Sequence, residues 1–481
     1  MSIRRLLIAN RGEIAVRIAR SAREMGISTV AVYSDADKTA PHVDACDAAV
    51  HIGASPPAQS YLNVARLLDA ARQAGADAVH PGYGFLSENA AFAEAVAAAG
   101  LTWVGPAPAV IAAMGDKVGA RARMRAAGVP VVPGVETEDA AAIAALGFPV
   151  LVKAAGGGGG KGMRRVDDAA QLAEALAEAR SEASTAFGDG RVYAEKLVLR
   201  PRHVEVQVIG DHHGGLAHLG ERECSIQRRH QKLVEETPSS ALDPDTRGRL
   251  CAAALAAARA VGYASAGTVE FLLDEDGRFY FLEMNTRVQV EHPVTELVTG
   301  VDIVREQLRV AMGEPLGYTE VTPRGHAIEC RVVAEDPAQG FLPSPGRITR
   351  WIAPSGPGVR VDAGVAEGSE VGVHYDPLLA KVIVHAPDRD AARARMMRAL
   401  SELVVLGVDT TAELLRDVVA SDAFARGDTT TDFLERFDWR PPEVDAAVYA
   451  AAWRAAPQPA AAPAGGRALE VTPWETLGRW P

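Results

Sequence analysis

The sequence predicts an α/β amino-terminal region followed by strand-rich α+β regions, three domains in one chain. Two observations carry this. Residues 1–115 alternate short apolar runs with amphipathic stretches, and from about 200 to 300 strand patterns dominate. Strand–helix alternation implies a parallel sheet covered by helices, whereas clustered strands imply antiparallel pairing. The length of 481 residues fits, at roughly 100–200 residues per domain.

In order, IRRLLIAN reads as a strand and GEIAVRIARSAREMG as a helix with Ile14, Ile18 and Met25 near one face. STVAVYS is a second strand, and ADAVHPGYGF a later one ending in a Gly-rich turn. The first turn, Asn10-Arg11-Gly12-Glu13, lacks the GxGxxG dinucleotide pattern. MGDKVGARARMRAAGVP reads as one helix stopped by Gly128 and Pro130, with Lys117 near its start. FPVLVKAA is a strand, followed by Gly156 to Gly160 and then Lys161. HAIECRVVAE and LAKVIVHA are further strands, and RDAARARMMRALSEL a helix. The Pro/Ala/Gly-rich segment Ala455 to Gly466 reads as a linker with fifteen residues after it, as in a truncated chain or a split subunit.

Composition narrows the function. Hydrophobic residues make up 48% and charged residues 23%, and no apolar run reaches the roughly 18 residues of a membrane span. Fifty Lys and Arg against 62 Asp and Glu give a net charge of −12, which argues against general nucleic-acid binding. Cys46, Cys224, Cys251 and Cys330 lie far apart without a CxxC pair, so a reducing cytoplasm is expected rather than a disulfide framework.

Four clusters carry chemistry. The glycine run, bracketed by Lys153 and Lys161 between VLVKAA and MRRV, suggests a hairpin lid whose bare amides wrap phosphate oxygens. In GTVEFLLDEDGRFYFLEMN, a two-residue type I′ turn at Asp276-Gly277 would place Glu270 directly opposite Glu283, Cβ atoms about 4.5–5.5 Å apart, with Leu272 and Phe281 on the same face. Facing carboxylates repel unless a proton or cation lies between them, and a Mg²⁺ ion bound also by phosphates resolves the conflict. Beyond them Glu283, Asn285, Arg287, Gln289 and Glu291 occupy alternate positions, one face of an extended segment spanning roughly 26 Å at about 3.3 Å per residue. Asn285 could complete a metal shell, Arg287 hold an oxyanion bidentately and Glu291 act as general base. A further cluster, ERECSIQRRHQKLVEE, gathers Arg222, Gln227, Arg228, Arg229, His230 and Lys232, of which Lys232 would suit a small anion.

Together these motifs resemble the biotin carboxylases of the ATP-grasp superfamily. The likeness runs from IANRGEIA through HPGYGFLSEN, MGDK, VKAAGGGGGKGMR, PRHVEVQV, ERECSIQRRHQKLVEE, EMNTRVQVEHPVTE, GHAIECRVVAEDP and FLPSPGRI, about residues 3 to 437. It implies a Rossmann-like N-terminal domain (1–116), an ATP-grasp core (117–320, with a mobile lid at about 132–197), a C-terminal mixed α/β domain (321–440) and a tail (441–481). It also implies that bicarbonate attacks the γ-phosphate of ATP, giving carboxyphosphate, whose CO₂ then carboxylates N1′ of biotin. On that resemblance Lys117, Lys153, the Gly159–Gly160 backbone, His203, Gln227 and His230 contact ATP, and Glu195-Lys196-Leu197-Val198 hold the adenine. Glu270, Glu283 and Asn285 match the ligands of Mg²⁺ or Mn²⁺, two ions in all. Lys232, Arg287, Gln289 and the Val290 backbone match the bicarbonate site, Glu291 the base, Arg331 the biotin ureido site, and Tyr83 the biotin pocket.

Without a Met-Lys-Met biotinylation motif, biotin is expected on a carrier protein or a missing segment, with a carboxyltransferase as further partner. The family's dimer contacts match Arg20, Glu24 and Arg360, but Pro357 stands where some members have an aromatic residue, so a homodimer or a larger complex is expected. The rival readings are a carbamoyl-phosphate-forming ligase, against which Arg331 speaks, and a silent ATP-binding scaffold, which would need neither Lys232, Arg287 nor Glu291.

Overall fold

A computed structural model describes residues 2–155 and 163–441, apart from the side chains at 186 and 187. The expected glycine-run residues Gly159 and Gly160, the linker 455–466 and the tail beyond it lie outside the described residues. The amino-terminal sheet has five parallel strands in the order Ala48–Gly53, Ser28–Ser34, Arg5–Ile8, Ala78–His80, Thr102–Trp103. Leu6, Leu7 and Ile8 are all buried, as expected of a central parallel strand covered on both faces. Helix Gly12–Glu24 buries Ile14, Ile18 and Ala22 against that sheet.

The turns after strands Arg5–Ile8 and Ala78–His80 are tied together, since Asn10 Nδ2 donates to the carbonyls of Pro81 (2.8 Å) and Tyr83 (2.7 Å). Gly82 has φ +65° there, and a Cβ would come within 2.9 Å of Asn10 Nδ2. Only glycine lets the loop carrying Tyr83 approach so closely.

Two buried histidines in this region predict an acid limit. His80 Nδ1 accepts from Gly82 N (3.0 Å) and its Nε2 donates to Gln307 Oε1 (3.2 Å), the arrangement of a neutral ring. Burial lowers both His80 and His42 to about 4. The unfolded chain therefore binds more protons between about pH 6.5 and 4, so stability should fall across that window by about 3 kcal/mol per histidine. Urea midpoints measured against pH check this, and His80→Gln should flatten the fall.

The expected single helix over 114–130 is two, Pro108–Gly115 and Lys117–Ala126. Asp116 is extended (φ −84°, ψ 100°), and the Lys117 N–H donates to Ala155 O (3.3 Å), which turns the chain. A small antiparallel sheet follows, in the order Gly134–Val135, Val192–Lys196, Val150–Ala154, Arg164–Val166. Leu172, Leu176 and Ala179 of helix Leu172–Phe187 pack on Val150, Val152 and Val166.

The site is built on an eight-stranded antiparallel sheet: Phe279–Asn285, Ser265–Leu273, Arg202–Gly210, Leu216–Arg228, Gln231–Thr237, His326–Val333, Leu378–Ala386, Val359–Ala363. It joins the middle of the chain to its carboxy-terminal part, because Gln231–Thr237 pairs with His326–Val333. One core lies between this sheet and helix Pro244–Ala260, another between it and helix Arg389–Glu402. The four cysteines are free thiols. Among the described residues no helix is long and apolar enough to cross a membrane.

Candidate active site

Glu270 and Glu283 are directly opposite across the hairpin Ser265–Leu273/Phe279–Asn285, by a route that differs from the expected one. The turn holds three residues rather than two: Asp274 N donates to Arg278 O (2.9 Å), enclosing Glu275, Asp276 and Gly277, the last with φ +74°. This shifts the outer pairs by one, to Leu272↔Tyr280 and Phe271↔Phe281. A bulge between Glu270 and Phe271, where Leu282 has no partner, restores the pairing Glu270↔Glu283. Phe281 consequently lies in the core with Phe271 and Met284, on the face away from the carboxylates.

The row continues across the sheet, with Glu205 opposite Glu270 and Arg222 opposite Glu205. Lys232 relieves the repulsion: its ammonium donates to Glu205 (2.5 Å), Glu270 (2.8 Å) and Glu291 (2.7 Å). Lys117 Nζ lies 3.6 Å from Glu283, whose side chain is 37% exposed. Glu205 is buried, and accepts from Arg222 Nε at 2.6 Å as well. Lys232 reaches this row because a two-residue turn, Arg229-His230, reverses the chain and places it opposite Gln227. Both turn residues have positive φ (47° and 66°) without being glycine, local strain of the kind that gathers at functional sites.

The polar row after Glu283 is not one extended segment. The strand ends at Asn285 and the chain curls, so that Glu291 becomes the residue preceding helix His292–Thr299. The curl draws the row together instead of spreading it. Asn285 Nδ2 (2.9 Å) and Gln289 Nε2 (3.0 Å) both donate to Glu270, and Arg287 donates to Gln289 (2.7 Å), Asn285 (3.0 Å) and Glu88 (2.9 Å). Arg331, from the neighbouring strand His326–Val333, donates to Glu235 (2.5 Å) and Glu291 (2.9 Å). The Val290 carbonyl accepts from Lys381 (2.8 Å), which also sits 3.1 Å from Glu13; Glu13 in turn accepts from the Tyr83 hydroxyl. Tyr83 and the Val290 carbonyl thus share one network through Glu13 and Lys381, and Glu291 and Arg331 share another with Lys232 and Glu235.

The electrostatics follow from this crowding. Burial alone would raise the carboxyls of Glu270 and Glu291, but Lys232, with His203 for Glu270 and Arg331 for Glu291, holds both well below the usual range. Lys232 is stabilised as a cation despite burial by Glu205, Glu270 and Glu291. His230 is lowered by burial and by the nearby positive groups Lys153, His203 and Lys117, which marks a region suited to polyphosphate.

The remaining candidates surround that region. Lys153 contacts Glu195, which Arg121 also binds at 2.7 Å. Lys196 Nζ donates to the Gly147 and Phe148 carbonyls (2.9 Å each), and Leu197 N to Pro149 O (3.1 Å), so the Lys196 side chain braces the end of its strand. Leu197 and Val198 are half-buried beside it. His203 Nε2 is 2.9 Å from Glu270 Oε2, an ion-pair distance without hydrogen-bond alignment. Glu270, the partly open Glu283 carboxylate opposite it and the Asn285 side-chain oxygen are hard oxygen donors of the kind that could hold a divalent cation.

Glu205, Glu88, Glu235, Glu13 and Lys381 were not among the expected site residues. Glu205 left a trace in the sequence, an acidic residue on the polar side of the alternating strand HVEVQVIG, between His203 and Gln207; the others are joined only by long-range packing.

A parallel-sheet domain leading into a small and a large antiparallel sheet, the large one carrying a cation-lined carboxylate row, is the arrangement of an ATP-grasp ligase. Three family models match in succession: "Biotin carboxylase, N-terminal domain" over residues 2–111, "Carbamoyl-phosphate synthase L chain, ATP binding domain" over 116–319, and "Biotin carboxylase C-terminal domain" over 329–436. The chain is 52% identical to the biotin carboxylase of Pseudomonas aeruginosa, covering 90% of this chain and 98% of that one. It is 51% identical to a pyruvate carboxylase subunit from Methanothermobacter thermautotrophicus, covering 90% of each. Among solved structures, a Campylobacter jejuni biotin carboxylase in a nucleotide complex superposes with TM-score 0.88 at 46% identity, covering 91% of this chain and 99% of that chain. The biotin carboxylase domain dimer of Hydrogenobacter thermophilus 2-oxoglutarate carboxylase, solved with MgADP, ADP and bicarbonate, gives 0.88 at 46% identity, covering 92% and 100%. The chain belongs to the biotin carboxylase family and is an ATP-dependent ligase.

Proposed function

We propose that this chain carboxylates biotin borne by a carrier protein, using ATP and bicarbonate and releasing ADP and phosphate, with the residues assigned as follows. The observation that carries the reading is the Lys232 ammonium shared by Glu205, Glu270 and Glu291, with Arg331 bridging Glu291 to Glu235. Lys232, Arg287, Gln289 and the Val290 backbone bind bicarbonate, and Glu291 removes its proton. Bicarbonate oxygen attacks the γ-phosphorus, the bond to the β–γ bridging oxygen breaks, and ADP leaves. Carboxyphosphate then splits into CO₂ and phosphate; the phosphate takes the N1′ proton of biotin, and N1′ attacks CO₂. Arg331 holds the ureido oxygen, Arg287 steadies the enolate and Tyr83 lines the pocket.

Lys117, Lys153, His203, Gln227, His230 and the Gly159–Gly160 backbone hold the phosphates, with residues 195–198 at the adenine. Glu270, Glu283 and Asn285 would hold Mg²⁺ or Mn²⁺, two ions in all, which supply charge neutralisation of the phosphates. Glu291, ionised and held low by Lys232 and Arg331, gains proton affinity when bicarbonate draws Lys232 away from it. Substrate binding thereby makes it a competent base.

The same reading divides the chain at about 116 and 320, places it in the cytoplasm and pairs it with a carboxyltransferase acting on an acyl-CoA, as in fatty-acid formation. A homodimer would use the face of Arg20, Glu24 and Arg360. ATP cleavage by purified protein should depend on bicarbonate and Mg²⁺ and be stimulated by free biotin. An equal rate without bicarbonate would contradict the reading.

A further inference from the structure

A second pair of facing glutamates lies behind the site. Strands Gln231–Thr237 and His326–Val333 put Glu235 directly opposite Glu329, and neither residue has measurable exposure (0% each). Directly opposed side chains have Cβ atoms about 4.5–5.5 Å apart. Arg331 Nε donates to Glu235 Oε1, but Glu235 Oε2 and both carboxyl oxygens of Glu329 have no hydrogen-bond partner. Strand alternation sets Ala327, Glu329 and Arg331 on one face, whereas Ile328, Cys330 and Val332 enter the core beneath helix Arg389–Glu402. Ile383 is the cross-strand neighbour of Glu329, and with Val294, Val298 and Ala327 it forms an apolar cluster at that face.

The surrounding charges are already engaged. Arg331 is divided between Glu235 and Glu291. Lys232, from the same strand as Glu235, serves Glu205, Glu270 and Glu291. On the next strand Lys381 lies 3.1 Å from Glu13 of helix Gly12–Glu24, 3.9 Å from Asp362 of strand Val359–Ala363, and donates to Val290 O. On helix His292–Thr299, His292 bonds Gln289 O through Nδ1, and Glu296 is held by Arg17 and Arg360. Two ionised carboxylates would therefore face each other in a dry setting with half of one guanidinium between them, which is costly.

We infer that Glu329 is a neutral carboxylic acid that donates its O–H to Glu235, and that this shared proton keeps Arg331 aimed at Glu291 and at the biotin ureido oxygen. Glu329 is thus a positioning residue, and the inference rests on the assignment of Arg331 to biotin. Burial and the facing Glu235 push Glu329 well above the usual carboxyl range, against the pull of Lys381. Burial raises Glu235 to about 7, against the pull of Arg331. As pH rises through the range of such an acid pair the proton leaves, and a third carboxylate then competes for Arg331.

Two measurements test this. Infrared difference spectra of the wild type should show the C=O stretch of a buried carboxylic acid near pH 6.5, absent from Glu329→Gln. The KM for free biotin should rise several-fold between about pH 6.5 and 9 in the wild type, whereas Glu329→Gln, an isostere of the neutral acid, should hold the low-pH value throughout. A biotin-dependent rate with the same pH profile in both proteins, or a wild-type spectrum without the Glu329 band, overturns the inference. Absence of any biotin-dependent rate would instead defeat the assignment of Arg331, and the spectrum would still decide the protonation state.

Discussion

Glu291→Gln should lower bicarbonate-dependent ATP cleavage by about 10²–10⁴-fold, the usual contribution of a positioned general base. Glutamine keeps the shape of the side chain, and its one amide oxygen can still accept from either Lys232 or Arg331, which bind different oxygens of the native carboxylate. The charge balance favours folding of the variant as well. Glu205, Glu270 and Glu291 crowd one ammonium, and removing one negative charge leaves Lys232 with two acidic partners. The lost rate should therefore come with a melting temperature within a few degrees of the parent. A variant that keeps activity within threefold would show that bicarbonate finds its base elsewhere.

The second large effect is on stability. Lys232→Met replaces the shared cation by an apolar side chain of similar length, leaving oxygens of Glu205, Glu270 and Glu291 without that donor. All three carboxylates are buried. Stranding buried charge by removing one partner costs about 3–5 kcal/mol. The first unfolding transition in urea should shift accordingly, and activity should disappear. Adding Glu205→Gln should recover part of the stability but none of the activity, because the anion site would still be missing. A single variant with an unchanged urea midpoint would mean that Lys232 is not the cation that holds the row together. Lys232→Arg is not expected to rescue, since a planar fork cannot serve three convergent carboxylates as a compact ammonium does.

These two residues also show how far the sequence could be read. Glu270 and Glu283 were legible as a facing pair because an Asp-Gly turn and strand alternation are local signals. The turn itself holds three residues, and the pair survives because the Leu282 bulge cancels the shift. The order of Asn285, Arg287, Gln289 and Glu291 was legible, but their curl was not. Period-two spacing cannot reveal that a strand stops at Asn285 and a helix begins at His292. The partners of Glu291 are further from reach. Lys232 lies 59 residues away and Arg331 40 residues away, and they meet only because Gln231–Thr237 and His326–Val333 are neighbours in one sheet. That adjacency is long-range topology, and only the resemblance to a family anticipated it. Glu205 and Glu235 escaped for the same reason, their roles being set by the residues opposite them.

The central claim is that bicarbonate is activated by forming a bond to the γ-phosphate of ATP before its carbon reaches biotin. Bicarbonate labelled with ¹⁸O tests it most directly, by mass analysis of the phosphate released during biotin carboxylation. Attack through a bicarbonate oxygen predicts that each phosphate carries one labelled oxygen, retained when carboxyphosphate loses CO₂. Unlabelled phosphate, with carboxybiotin formed at the same rate, would contradict it.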